Sequence, residues 1–169
     1  MTYKMFCMLN RHFFRSSLPL EHLKIGIGSM SPEGALALAH HWKDDDGIAH
    51  HIDLDPAAVF ELGAGKMNPF WYAYTSVLLH EMVHYACDLR DVATVDANGW
   101  HNEVFRDEAQ AHGLACQLDN RGWNVTWLDD DPLSPRMRSS QELKRIIELY
   151  GQTEPYNKVI LARPGSILI

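Results

Sequence analysis

One stretch limits this chain more than any other: Leu78-Leu79-His80-Glu81-Met82-Val83-His84-Tyr85. Trp71, Tyr74, Val77, Leu78, Leu79, Met82, Val83 and Ala86 surround it with the spacing of a largely apolar helix. Ionisable residues in such a helix need a reason, because burying them without partners is costly. Residues four apart share a helix face, so His80 and His84 direct two imidazoles to one point. Neutral imidazole suits Zn²⁺, and two such ligands make half of a tetrahedral site. Glu81 follows the first of them, within reach of a water at that point, and can take its proton. The competing reading is a surface helix that carries this five-residue pattern by chance, and the apolar surroundings argue against it.

A catalytic zinc needs a third protein ligand and an open position. In the metzincin pattern a Gly and a third His follow the second His at three-residue steps. Those positions hold Cys87 and Arg90, which excludes that class. The next candidates lie in Gly99-Trp100-His101-Asn102-Glu103-Val104-Phe105-Arg106-Asp107. His101 is one. Glu103 is the other, with Asp107 one turn later as a supporting carboxylate, an arrangement that resembles the thermolysin-like gluzincins. On one helix His101 and Glu103 would stand about 200° apart, so both should not face one metal. Asp88, one turn beyond His84, is a candidate to orient a ligand, and Tyr85 is a candidate oxyanion stabiliser. His112 and Cys116 are also spaced for one face but fall on the order of 16 Å beyond His101, too far for the same ion.

The chain has 169 residues, one domain's length, and is 46% hydrophobic, which predicts a globular fold. No apolar run reaches membrane-spanning length, and the patch Met5–Leu9 is too short for a signal segment, so a cytoplasmic location is expected. Cys7, Cys87 and Cys116 are odd in number and form no C-x-x-C, against a disulfide framework or a zinc ribbon. Net charge is −7, which disfavours general nucleic-acid binding. Residues 132–169 carry six basic and three acidic residues against nine and nineteen before them, a weakly basic tail.

Residues 3–17 read as a short helix, closed by Leu18-Pro19. Leu23 to Ile27, Ala35 to Trp42 and Ile48 to Leu54 read as strands joined by short turns, an antiparallel meander. Asp46-Gly47 is a hairpin signal. Asp55-Pro56 opens a short helix, and the main helix runs from about Asn68-Pro69 to Leu89. A second helix follows Trp100, with Val104, Phe105, Ala109 and Leu114 at helical spacing and Gly113 near its end. Trp123 to Leu128 is a candidate strand, Ser139-Ser140-Gln141-Glu142 a capping box, and Val159 to Leu161 a last strand. His40, His41, His50 and His51 flank the Asp-Gly turn, as polar strand ends or as a second metal cluster.

This combination resembles the SprT-like metallopeptidases over roughly residues 10–118. The matching residues are His80, Glu81 and His84, then His101 and Phe105, with the three strands before them. The resemblance implies an α+β, zincin-like fold: a three-stranded meander packed on the H-E-x-x-H helix and a second ligand-bearing helix. It implies a metallopeptidase domain, expected over residues 1–118; residues 119–169 match no known pattern and are expected to form a small α/β extension packed on it. It implies one Zn²⁺ held by His80, His84 and His101, Glu81 as general base, and Phe105 packed beneath the third ligand. The expected partner is a peptide or protein substrate, extended along the edge strand Ile48 to Leu54. Several members carry a C-terminal zinc ribbon that this chain lacks. Two further readings follow: a non-catalytic binding module on the same fold, or a protease acting on DNA-associated proteins.

Overall fold

The computed structural model describes residues 2–21, 23–27, 37–44, 47–55 and 70–125, and the helical positions 141, 144, 145 and 148. At residues 38, 40–44, 47–49 and 70–72 it describes the backbone alone. The elements are α1 (Thr2–Phe13), β1 (Leu23–Ile27), β2 (Ala37–Asp44), β3 (Gly47–Leu54), α2 (Phe70–Asp88), α3 (Glu103–Ala111), β4 (Cys116–Asp119) and β5 (Gly122–Val125). The expected helix at Asp55-Pro56, the strand at 159–161 and the end of the 123–128 strand lie outside the described residues. Among the described residues no helix is long and apolar enough to cross a membrane.

The molecule is a mixed α/β structure around α2. Tyr74, Leu78, Leu79, Met82, Val83 and Tyr85 are all buried, so this helix is apolar on nearly every side and must be covered all round. α1 covers one side. Its Met5, Phe6 and Leu9 recur at helical spacing and are fully buried, and Thr2 Oγ1 meets the Tyr74 hydroxyl at 2.7 Å. Asn10 then holds the exit of α1, accepting from Leu18 N at 3.1 Å and donating to Leu18 O at 2.7 Å. α3 covers another side through Phe105 and Ala109, both fully buried.

The sheet covers the third side, and its order corrects the expected meander. The strands lie in the order β1-β3-β2, with β1 parallel to β3 and β2 antiparallel to it. β3 is therefore central, and its Ile52 and Leu54 are fully buried in the core with α1, α2 and α3. Ile48–Leu54 is paired on both sides; among the described strands β1 and β2 lie at the edges. The β2–β3 hairpin closes at the pair Asp44↔Gly47, in keeping with the Asp-Gly signal. β1 reaches β3 without a direct turn, and Gly26 makes room for the buried carboxylate of Asp53 across from it.

A second sheet, β4–β5, is an antiparallel hairpin with Asp119 paired to Gly122. It spans the boundary drawn at residue 118, so residues 119–125 belong structurally with what precedes them. β4 had no signal in the sequence pattern: Cys116-Gln117-Leu118-Asp119 is short, and its last three residues are exposed.

Candidate metal centre

His80 and His84 stand one turn apart on α2, as their spacing requires. Their Nε2 atoms are 3.1 Å apart, and His84 Nε2 is 3.1 Å from His101 Nε2. One ligand atom from each of the three residues lies within 4.8 Å of the others, close enough to hold a single metal ion. Zinc–nitrogen bonds of about 2.0–2.1 Å at tetrahedral angles separate two nitrogens by roughly 3.3 Å. The spacing between neighbouring rings here is close to that.

His101 is not on a helix. Asn102 is the N-cap of α3, in extended conformation, and its side chain accepts from Phe105 N at 3.1 Å. The same side chain donates to Ala93 O at 2.9 Å, and Asn102 N donates to Thr94 O at 3.0 Å. A cap of this kind is worth about 1 kcal/mol, and here it also ties α3 to the loop that leaves α2. The third imidazole therefore hangs from the segment before the helix, which corrects the expectation of a ligand-bearing second helix. Glu103 opens α3 with its side chain 79% exposed, 3.8 Å from Arg106. Asp107 is also exposed and accepts from Arg106 Nε at 2.7 Å. Neither approaches the imidazoles, so Glu103 is no ligand and Asp107 supports none.

Two partners that no motif announced hold the rings. His101 Nδ1 donates to the carbonyl of Trp123 at 3.0 Å, and Trp123 N donates back to His101 O at 3.0 Å. A carbonyl can only accept, so a neutral His101 carries its proton on Nδ1 and leaves Nε2 bare. His84 Nδ1 meets Thr94 Oγ1 at 2.7 Å. Thr94 is buried, and its hydroxyl takes the place expected for Asp88. Phe105 forms the floor: its ring stacks on His101 at 3.9 Å and lies within 4.7 and 5.0 Å of His80 and His84. Gly122 allows the closest approach. A Cβ there would stand 2.5 Å from His101 O.

Burial governs the charges. It pushes His80 well below the usual imidazole range, aided by the neighbouring His84 and His101. His84 falls to about 4, again through burial and His101, with Asp88 opposing. His101 is lowered by burial, with the Trp123 carbonyl opposing. All three are thus neutral at pH 7, the form that binds metal. Bare imidazole lone pairs converging at 3.1 Å repel unless a Lewis acid or a proton stands between them, so the donor set fits a borderline cation such as Zn²⁺.

Glu81 sits beside this point, 5% exposed, with Oε1 4.0 Å from His80 Nε2. Burial lifts its carboxyl to about 8, while a hydrogen bond from the Ala39 backbone N–H favours the ionised form. Tyr85 turns the other way. Its hydroxyl donates to Pro19 O at 2.7 Å and its ring is buried toward α1 and His50, so it cannot serve an oxyanion at the triad. Asp88 lies on the triad's side of α2, 3.5 Å from His50 Nδ1. His51 pairs with Asp53 at 3.7 Å, and the triad is the one group of three or more candidate ligands among the described residues. His40 and His41 are the strand partners of His51 and His50. His112 caps α3, donates to Phe13 O at 3.0 Å and stacks on Phe14.

The triad opens into a cavity of about 550 Å³, walled by Ala37 and Ala39 of β2 and by Thr94, Val95 and Gly99 of the loop. That loop is braced by Asp96, whose carboxylate accepts from Asn98 N at 2.8 Å and Trp100 N at 3.0 Å. Comparison with known proteins finds no matching family model, no match among curated proteins and none among solved structures.

Proposed function

We propose that this chain is a zinc-dependent peptidase of the SprT-like kind, cleaving an extended peptide laid along β2. The observation that carries this reading is the convergence of three imidazole nitrogens beside a buried carboxylate, in one cleft. His80, His84 and His101 would hold the ion. Zinc held there supplies Lewis acidity, which acidifies water and polarises a carbonyl.

The rest falls to the chain's own residues. Glu81 accepts a proton from the attacking water at a carboxylate oxygen and delivers it to the leaving nitrogen, as the C–O bond forms and the C–N bond breaks. The Ala39 N–H fixes that carboxylate toward the cleft. Along an antiparallel strand, every second residue turns its N–H and C=O away from the neighbour. Ala39 does so toward Glu81, so Ala37 in the same phase presents its backbone groups to the cleft. An extended peptide can add there as a further strand. Thr94 and Trp123 keep His84 and His101 aimed, and Phe105 closes the rear against water.

A zinc kept only for structure is closed by a fourth protein ligand. Among the described residues the cluster stops at three, which favours catalysis over the binding-module reading. The test is Glu81→Gln, assayed for zinc content and for cleavage of an unfolded protein substrate. Zinc should stay bound while turnover falls by about 10²–10⁴-fold. Unchanged cleavage by a zinc-loaded Glu81→Gln protein would overturn the hydrolytic role.

A further inference from the structure

α3 has nine residues, too few to hold a helix on its own, so its place against α2 comes from tertiary contacts. Phe105 and Ala109 supply the apolar part, both fully buried. Apolar burial is non-directional: it keeps one helix against another without fixing rotation or slide along the contact. Directional ties do that. At its N-terminal end, α3 is held by Asn102, bonded to Ala93 O at 2.9 Å and Thr94 O at 3.0 Å. Further along, Glu108 Oε1 accepts from Arg90 Nη2 at 2.8 Å. Arg90 is fastened back on the helix that carries His80 and His84. Its Nε donates to Ala86 O at 3.1 Å, and Nη2 also donates to Cys87 Sγ at 3.3 Å. The turn beneath it is fixed as well, with Arg90 N and Val92 N both donating to Cys87 O, at 2.9 and 3.0 Å. One guanidinium thus joins the end of α2 to the middle of α3. Glu108 stands one turn beyond Phe105, whose ring lies against all three imidazoles. Arg90 is half exposed, and an exposed ion pair adds little stability by itself. Its planar fork, however, reaches three partners at once, which a lysine cannot reproduce.

We propose that Arg90 and Glu108 are positioning residues for the metal centre. They fix the rotation of α3 against α2, and so set His101 and the Phe105 floor against His80 and His84. The proposal rests on the metal site of the peptidase reading and adds how its two halves are kept in register. Neither residue touches the ion; each acts through α3, and only the two together make the tie.

The test measures zinc affinity of the full chain by competition with a chromophoric chelator, and the absorption bands of the Co²⁺-loaded protein, which report ligand geometry. The variants are Arg90→Met, Arg90→Lys, Glu108→Ala and the Arg90→Met/Glu108→Ala double. Asp107→Ala is the control, since it removes the neighbouring ion pair with Arg106 on the same helix. Arg90→Met and Glu108→Ala should each weaken zinc about tenfold, the low end of the loss seen when a supporting partner of a ligand is removed. The double variant should bind about as weakly as either single, because both remove one tie. Arg90→Lys should bind as weakly as Arg90→Met, and the cobalt bands should shift in all four. Asp107→Ala should match wild type in both measurements. Zinc affinity and cobalt bands unchanged in Arg90→Met and Glu108→Ala would overturn the proposal and leave the metal site standing. Full recovery in Arg90→Lys would overturn it too, by showing that charge rather than fork geometry matters. An equal loss in Asp107→Ala would reduce the effect to helix stability and overturn it likewise. Wild type that binds neither metal would remove the centre itself, and the proposal with it. Should the Arg90 variants fail to fold, Glu108→Ala, which places a strong helix former in α3, decides the matter against Asp107→Ala.

Discussion

Replacing Gly122 with alanine tests whether the β4–β5 hairpin aims the third imidazole. Gly122 has φ +92°, and a Cβ there would lie 2.5 Å from His101 O, 3.2 Å from Trp100 Cβ and 3.3 Å from His101 N. Gly99 provides the control. Its φ is +79°, yet a Cβ there meets nothing within 4 Å. Both alanines bear the left-handed backbone, which costs roughly 1–2 kcal/mol. Only Gly122→Ala must also displace main-chain atoms, a forced shift of about 1–3 kcal/mol. We therefore expect Gly122→Ala to destabilise by about 3 kcal/mol and Gly99→Ala by about 1 kcal/mol, read from urea unfolding midpoints at constant slope. Because the displaced atoms belong to His101, Gly122→Ala should also weaken zinc about 10–100-fold in competition with a chromophoric chelator. Gly99→Ala should leave zinc affinity within a few-fold of wild type. Equal destabilisation of the two variants, with zinc bound equally by both, would refute the link between hairpin and ligand.

Two further outcomes follow from the same geometry. Thr94→Val removes the partner of His84 Nδ1 at 2.7 Å and should lower zinc affinity about 10–100-fold, with Thr94→Ser restoring most of it; a Ser variant as weak as Val would point to packing instead. Before metal binds, Glu81 holds its proton up to about pH 8, and a divalent charge nearby favours the ionised form. Zinc binding at pH 7 should thus release close to one proton, and affinity should climb as pH rises toward 8. Below that range it should fall further as protons compete for the imidazoles, His84 taking one at about pH 4. Calorimetry in buffers of different ionisation enthalpy reads the release; heats independent of buffer would contradict it.

Much of the centre was legible because its carriers obey a helical period. His80, Glu81 and His84 could be placed on one buried helix from spacing alone, and the hairpin between β2 and β3 announced itself through Asp46-Gly47. His101 over Glu103 came from the resemblance, and the local reason lies in Asn102: its capping side chain starts the helix at Glu103, leaving His101 outside it and Glu103 in solvent. The strand order was not legible. Alternation at Leu23, Ile25 and Ile27 tells which side chains share a face but not which strand lies alongside, and a parallel pair has no turn to betray it. Thr94 and Trp123 escaped because one contributes a single hydroxyl and the other only main-chain groups, neither of which makes a pattern.

The grip on His101 has an evolutionary corollary. Residue 123 meets it through an amide and a carbonyl that every amino acid except proline possesses in full. The indole is thus free to drift without loosening the ring, whereas the neighbour at 122 has no such liberty. In a lineage of such chains, the invariant mark of this support would be a lone glycine, with nothing in the adjoining letter to say what it was protecting.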